Sequence, residues 1–174
     1  MIRSVLAAAA LALAACTPAP PEAPPAPPPP DVADAAPTAL LTGAFAATST
    51  TAMGVTGDLT VEPTRLSFGK GFLLETETAG LVDVTTLTKM DGDSFAKTMT
   101  LPTSLAMELR RVVNVTKAAD AAPQPLCGAA APTWVALAYD TPVTAVSMGV
   151  FSGIDAPSPA GIDTTLCGTF TYDR

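Results

Sequence analysis

No histidine occurs anywhere in the 174 residues. That absence removes Ser-His-Asp and Cys-His nucleophilic catalysis, together with zinc or copper centres built on imidazole. Aromatic residues make up 5% of the chain. Among them Trp134, Tyr139 and Tyr172 are the candidate ligand-binding side chains, and a core or barrel-mouth position accounts for each equally simply. Positive charge is scarce too, with 9 Lys and Arg against 16 Asp and Glu. Arg110-Arg111 is the one basic pair, read here as solvated positions on a strand or helix. An acidic chain without a basic cluster argues against nucleic acid and against anionic lipid surfaces as partners. Beyond residue 16 no apolar run approaches the roughly 20 residues of a membrane-spanning helix.

What the chain does contain begins at its N-terminus. Arg3 precedes an apolar run over residues 5–12, which leads into Leu13-Ala14-Ala15-Cys16. A basic start, a short apolar stretch and small residues before a cut are the parts of a secretory signal. The four residues ending at Cys16 resemble the lipobox of bacterial lipoproteins. That resemblance implies cleavage before Cys16 and acylation of its thiol, with palmitate among the chains attached. Each buried methylene adds about 0.8 kcal/mol of membrane affinity, so several acyl chains anchor durably. Thr17, rather than Asp, follows the cysteine. In this family that residue implies the outer membrane, with the domain facing the periplasm. Cleavage takes Arg3 away from the formal net charge of −7, leaving −8.

Of the three cysteines, lipidation accounts for Cys16. Cys127 and Cys167 remain, each within a Leu-Cys-Gly tripeptide, and are free to pair as a disulfide in an oxidising compartment. With all three thiols committed, thiolate catalysis and Cys-ligated metals are excluded as well. Residues 17–30 hold nine prolines in fourteen positions. At this density the backbone favours extended polyproline II, a spacer of about 40 Å at 3.1 Å per residue. Three regions follow: a signal peptide at 1–15, the lipidated cysteine and Pro-rich tether at 16–39, and a domain at 40–174.

In that domain, short apolar alternations are separated by Gly, Pro and Asp, the pattern of an all-β fold. Leu59 and Val61 alternate with Asp58, Thr60 and Glu62 before Pro63 breaks the run. The turn Gly69-Lys70-Gly71 joins a hairpin of residues 64–68 and 72–77. Further strands are expected at 81–87, more weakly at 95–101, and then at 134–139, 143–151 and 166–172, with Asp91-Gly92-Asp93 as an intervening turn. Residues 104–115 can be read as a helix capped by Thr103 or as a strand. The β-branched pair Val112-Val113 and the β surroundings favour the strand. Eight or nine strands in about 135 residues suggest a small antiparallel barrel or sandwich.

Cys127-Gly128, the run from Gly149 through Val150, Phe151 and Ser152 to Gly153, and the terminal Leu166-Cys167-Gly168-Thr169-Phe170-Thr171-Tyr172 resemble periplasmic lipoproteins with a calycin-like β-barrel. The segment 49–59 has the same character, and the similarity extends over most of residues 45–172. The resemblance implies a barrel of about eight strands with one disulfide. Membrane-bound lysozyme inhibitors are a looser comparison, sharing a lipobox, a small barrel and a disulfide. Their Ser-Gly-x-x-Tyr motif is not matched, because Ser152-Gly153 is followed by Ile154-Asp155-Ala156.

Motifs that carry chemistry are sparse. Ser94 and Lys97 can be written as a Ser–Lys dyad, yet nothing in their spacing demands one. Gly69-Lys70-Gly71 lacks the remaining elements of a phosphate-binding loop. Asp91-Gly92-Asp93-Ser94 offers oxygen ligands without the alternating set and terminal Glu of an EF-type calcium loop. Glu75 and Glu77 share one face of a strand and are the candidate carboxylates for a hydrolase. No catalytic residue, cofactor or metal is assigned. The expectation is a non-catalytic interaction module, inhibitor-like, with a cationic periplasmic protein as partner. A carrier of a small apolar ligand in the barrel interior comes second, and a carboxylate-dependent hydrolase third.

Overall fold

A computed structural model describes residues 41–118 and 126–174. The expected signal peptide, Cys16 and the expected Pro-rich tether lie outside the described residues. Eight strands run in chain order: β1 (Gly43–Ala47), β2 (Leu59–Glu62), β3 (Arg65–Phe68), β4 (Phe72–Leu81), β5 (Ala106–Lys117), β6 (Trp134–Tyr139), β7 (Ala145–Ser152) and β8 (Thr165–Asp173). Each pairs antiparallel with its neighbours, and β1 meets β8 to close the barrel. Closure removes the unpaired sheet edges that would otherwise template aggregation.

Strand periodicity explains the interior. Leu59 and Val61 on β2, Leu66 and Phe68 on β3, and Phe72 and Leu74 on β4 all enter one core cluster. They meet Val135, Leu137, Val146, Met148, Val150 and Phe170 from the far wall. The β3–β4 hairpin turns where expected: Gly71 sits at φ 84° and its N–H donates to Phe68 O at 2.9 Å. Residues 104–115 fall largely within β5, so the strand reading of that segment holds. Cys127 and Cys167 form a disulfide.

Two expected strands are not formed. β4 continues through Leu81 instead of yielding to a separate strand over 81–87. The predicted strand at 95–101 is a short helix, α1 (Phe95–Met99). Ser94 caps it by accepting from Lys97 N at 3.3 Å, and Thr100, at φ 58°, ends it. The cause is tertiary. The outer face of β5, β6 and β7 carries Met107, Leu109, Ala136, Ala138 and Phe151, which need cover. One turn of helix sets Phe95 and Met99 side by side against that surface. Phe95 meets Phe151 edge to face at 5.8 Å between centroids. Gly149 makes room: a Cβ there would lie 2.7 Å from Met99 Sδ. The wall is therefore buried on both sides. Arg110 corrects a further expectation, since it is wholly buried and only Arg111 is solvated.

The β6–β7 turn is organised by Asp140. Its carboxylate accepts from Thr144 N at 2.7 Å and Ala145 N at 3.0 Å, and from the Thr144 hydroxyl. These donors, with the hydroxyl first, hold its pKa at about 2 against an ordinary 3.8. A depressed folded-state value means that the stabilisation is complete above pH 3.8 and fades as pH falls towards 2. Asp140→Asn is expected to lower the melting temperature at neutral pH, with the gap to the parent closing as pH falls below 3.8. Paired thermal melts across that range check this, and a gap that persists at the acid end counts against it.

Candidate functional site

Inside the barrel the space is filled by the protein's own side chains. Leu59, Leu66, Leu74, Leu137, Met148 and Tyr172 are each less than 2% exposed and pack in one cluster. Tyr139 and Tyr172 belong to this cluster, whereas Trp134 packs on the outer core beneath α1. The three aromatic candidates therefore share no common surface. The Tyr172 hydroxyl meets Thr56 Oγ1 at 2.8 Å, on the single π-helical turn Ala52–Thr56. Burial drives this phenol well above its ordinary pKa, against a smaller lowering from that hydrogen bond. A tyrosine so placed is structural and stays protonated.

Among the described residues one charged pair breaks the apolar interior. Because Met107 and Leu109 face outward under α1, Glu108 and Arg110 point into the barrel. Both are fully buried, with Arg110 Nε 2.9 Å from Glu108 Oε1. Every charge-bearing atom has work to do. Arg110 Nη1 donates to Glu62 O at 2.7 Å and Nη2 to Leu41 O at 3.0 Å. Glu108 accepts from Leu41 N at 3.0 Å and from Thr78 Oγ1 at 3.0 Å. The pair thus clasps Leu41 by both backbone groups, two residues before β1 begins. Tyr139 senses it: its pKa is raised, first by burial and then by the Glu108 charge.

On the outer wall, a cleft of ≈ 590 Å³ opens between the β2–β3 turn and the β4–β5 pair, with Glu62, Arg65, Glu75, Glu77 and Val113 among its lining. Each carboxylate there already holds a partner. Glu62 pairs with Arg65 at 2.6 Å, Glu77 with Arg111 at 2.6 Å, and Glu75 accepts from Asn114 at 3.2 Å. The Arg65 hydrogen bond lowers the Glu62 pKa, the opposite of what a general acid at neutral pH requires. Glu75 and Glu77 are therefore members of a solvated charge ladder, and such exposed pairs contribute little energy.

The remaining sequence candidates are similarly occupied. Ser94 caps α1, and Lys97 Nζ binds Asp93 at 2.7 Å, so no Ser–Lys dyad assembles. The same ion pair takes one of the carboxylates of the Asp91-Gly92-Asp93 turn.

The loop from β7 to β8 is different. Asp155 Oδ2 accepts from Ile162 N at 2.8 Å and Asp163 N at 2.9 Å, while Asp155 N donates to Asp163 O at 3.1 Å. Asp163 Oδ2 in turn accepts from Ile154 N at 3.3 Å. The backbone donors hold the Asp155 carboxyl below its ordinary pKa. Gly153, at φ 121°, allows the two limbs to close, since a Cβ there would sit 2.1 Å from Asp163 O. From this stapled base Ile154 and Ile162 project, 88% and 72% exposed. Met90 N donates to Gly161 O at 2.7 Å, which brings the half-exposed Met90 alongside. In the sequence these residues fall between the strands expected at 143–151 and 166–172 and carry no motif. The available signal was two isoleucines in a segment otherwise made of small and polar residues.

No protein family, curated protein or solved structure matches this chain in comparisons at significant similarity.

Proposed function

We propose that this chain is a lipid-anchored, non-catalytic interaction module of the bacterial envelope, held at the outer membrane through Cys16 and facing a cationic protein in the periplasm. The observation that carries the reading is the filled barrel. With its interior taken up by its own side chains, the domain can meet a partner only through its outer surface; the whole chain carries 16 acidic residues against 9 basic ones, and the buried Glu108–Arg110 pair takes one of each sign away from that surface. Such an imbalance steers oppositely charged proteins and speeds encounter.

The same filling counts against a carrier of apolar ligands, because an eight-stranded barrel holds either side chains or a ligand. A carboxylate-dependent hydrolase loses its basis in the partners already held by Glu75 and Glu77. The lipobox supports the address.

Immobilised protein exposed to periplasmic extract at about 50 mM and 500 mM salt tests this reading, because screening shortens from about 14 Å to about 4 Å across that range. Retention of basic proteins at the lower salt and their release at the higher is the expected result. Retention that ignores salt, or none at either strength, overturns it.

A further inference from the structure

We infer that Ile154 and Ile162 are the contact point of this module, and that they insert into an apolar pocket rimmed by Lys or Arg on a partner protein. This inference rests on the interaction-module reading and names the surface through which it acts.

Three observations converge. First, two isoleucines at 88% and 72% exposure stand on one stapled base, beside the half-exposed Met90. Single exposed apolar residues are commonplace, whereas adjacent ones form a patch that a folded protein keeps for contact. Second, the presentation is preorganised. The Asp155 and Asp163 carboxylates and the close approach at Gly153 hold both limbs, and Pro157 and Gly161 are buried beneath them. A rigid apolar tip loses little conformational freedom on binding, which is how a few residues come to dominate an interface.

Third, the surrounding charge selects the occupant. Asp155 and Asp163 form the base of the tip, and Met90, which bonds Gly161, stands between Lys89 and Asp91 in the chain. Carboxylates one residue from each isoleucine would have to enter the headgroup and acyl region if the tip went into a bilayer, at a substantial cost. A second copy would bring the same carboxylates and the same net negative charge to the contact. A pocket with basic residues at its rim satisfies both the apolar tip and its acidic base.

The test places a photo-crosslinking phenylalanine analogue at position 154, 162 or, as a control on another face, 60, in the full-length protein within intact bacteria. Discrete protein adducts at 154 and 162 but not at 60 are expected. The cross-linked peptide of the partner, sequenced by mass spectrometry, should carry apolar residues flanked by Lys or Arg. With that partner purified, Ile154→Ser combined with Ile162→Ser should weaken binding by about 30-fold and leave the melting temperature unchanged, since neither side chain is packed. Adducts confined to lipid or to a second copy of the chain overturn the inference. So does binding indifferent to the double substitution. Adducts at 60 alone overturn this surface and leave the interaction-module reading standing, whereas no protein adduct at any position, with no salt-sensitive capture, removes both.

Discussion

Arg110→Met should lower the stability of the barrel by about 3–5 kcal/mol, the cost of leaving one member of a buried ion pair without its partner. In a domain of this size that corresponds to a fall of roughly 10–20 °C in melting temperature. The size follows from what the guanidinium does. It neutralises Glu108 at 2.9 Å in a site with no solvent exposure, and it holds the carbonyl groups of Leu41 and Glu62. Methionine fills a similar volume and supplies no donor, so the buried Glu108 carboxylate loses its countercharge while the carbonyls of Leu41 and Glu62 lose the guanidinium donors. Glu108→Leu combined with Arg110→Met separates the two costs. It removes the stranded charge and leaves Leu41 N–H and two carbonyls unpaired, so its stability should lie between the parent and the single variant. Urea denaturation of all three proteins provides the comparison. A single variant within 1 kcal/mol of the parent would show that the clasp contributes little.

Removing the Cys127–Cys167 bond by Cys127→Ser with Cys167→Ser is the second large effect expected. The bridge spans a sequence separation of 40, and in the chain-entropy description a loop of that length stabilises by about 4 kcal/mol through restriction of the unfolded state. Its location adds to this. Cys167 lies within β8, and Cys127 follows the buried Leu126, so the bond holds the β5–β6 connection against the interior cluster. The double serine variant and the reduced parent should unfold at the same, lower urea concentration. A midpoint shared with the oxidised parent would sink the argument.

The two effects differ in how visible they are in the sequence. Counting cysteines and assigning one to the lipobox left Cys127 and Cys167 as a pair, a local argument that required no fold. The ion pair had no such signal. On β5, Met107 and Leu109 alternate with Glu108 and Arg110, and period-two reasoning assigns the apolar set to the barrel interior. The structure reverses the assignment. Pairing of Glu108 with Leu137 and of Arg110 with Val135 on β6, both wholly buried, fixes which face turns inward. The apolar face is then covered from outside by α1, a helix that its own sequence presents as a weak strand.

Sequence by itself determined the elements whose physics is local. Alternation at Leu59 and Val61, the glycine turn at 69–71, the β-branched run in β5 and the apolar terminal strand each follow from one stretch of chain, and together they imply an all-β barrel. Tertiary structure alone decided which side of a strand became interior wherever both sides were buried, because there the polar and apolar periodicity no longer distinguishes solvent from core. It also decided that Glu108 and Arg110 would clasp Leu41, and that Ile154 and Ile162 would stand clear of the surface. Those outcomes depend on contacts between residues as far apart as Leu41 and Arg110, and on a loop closed by reciprocal hydrogen bonds, neither of which any single segment encodes.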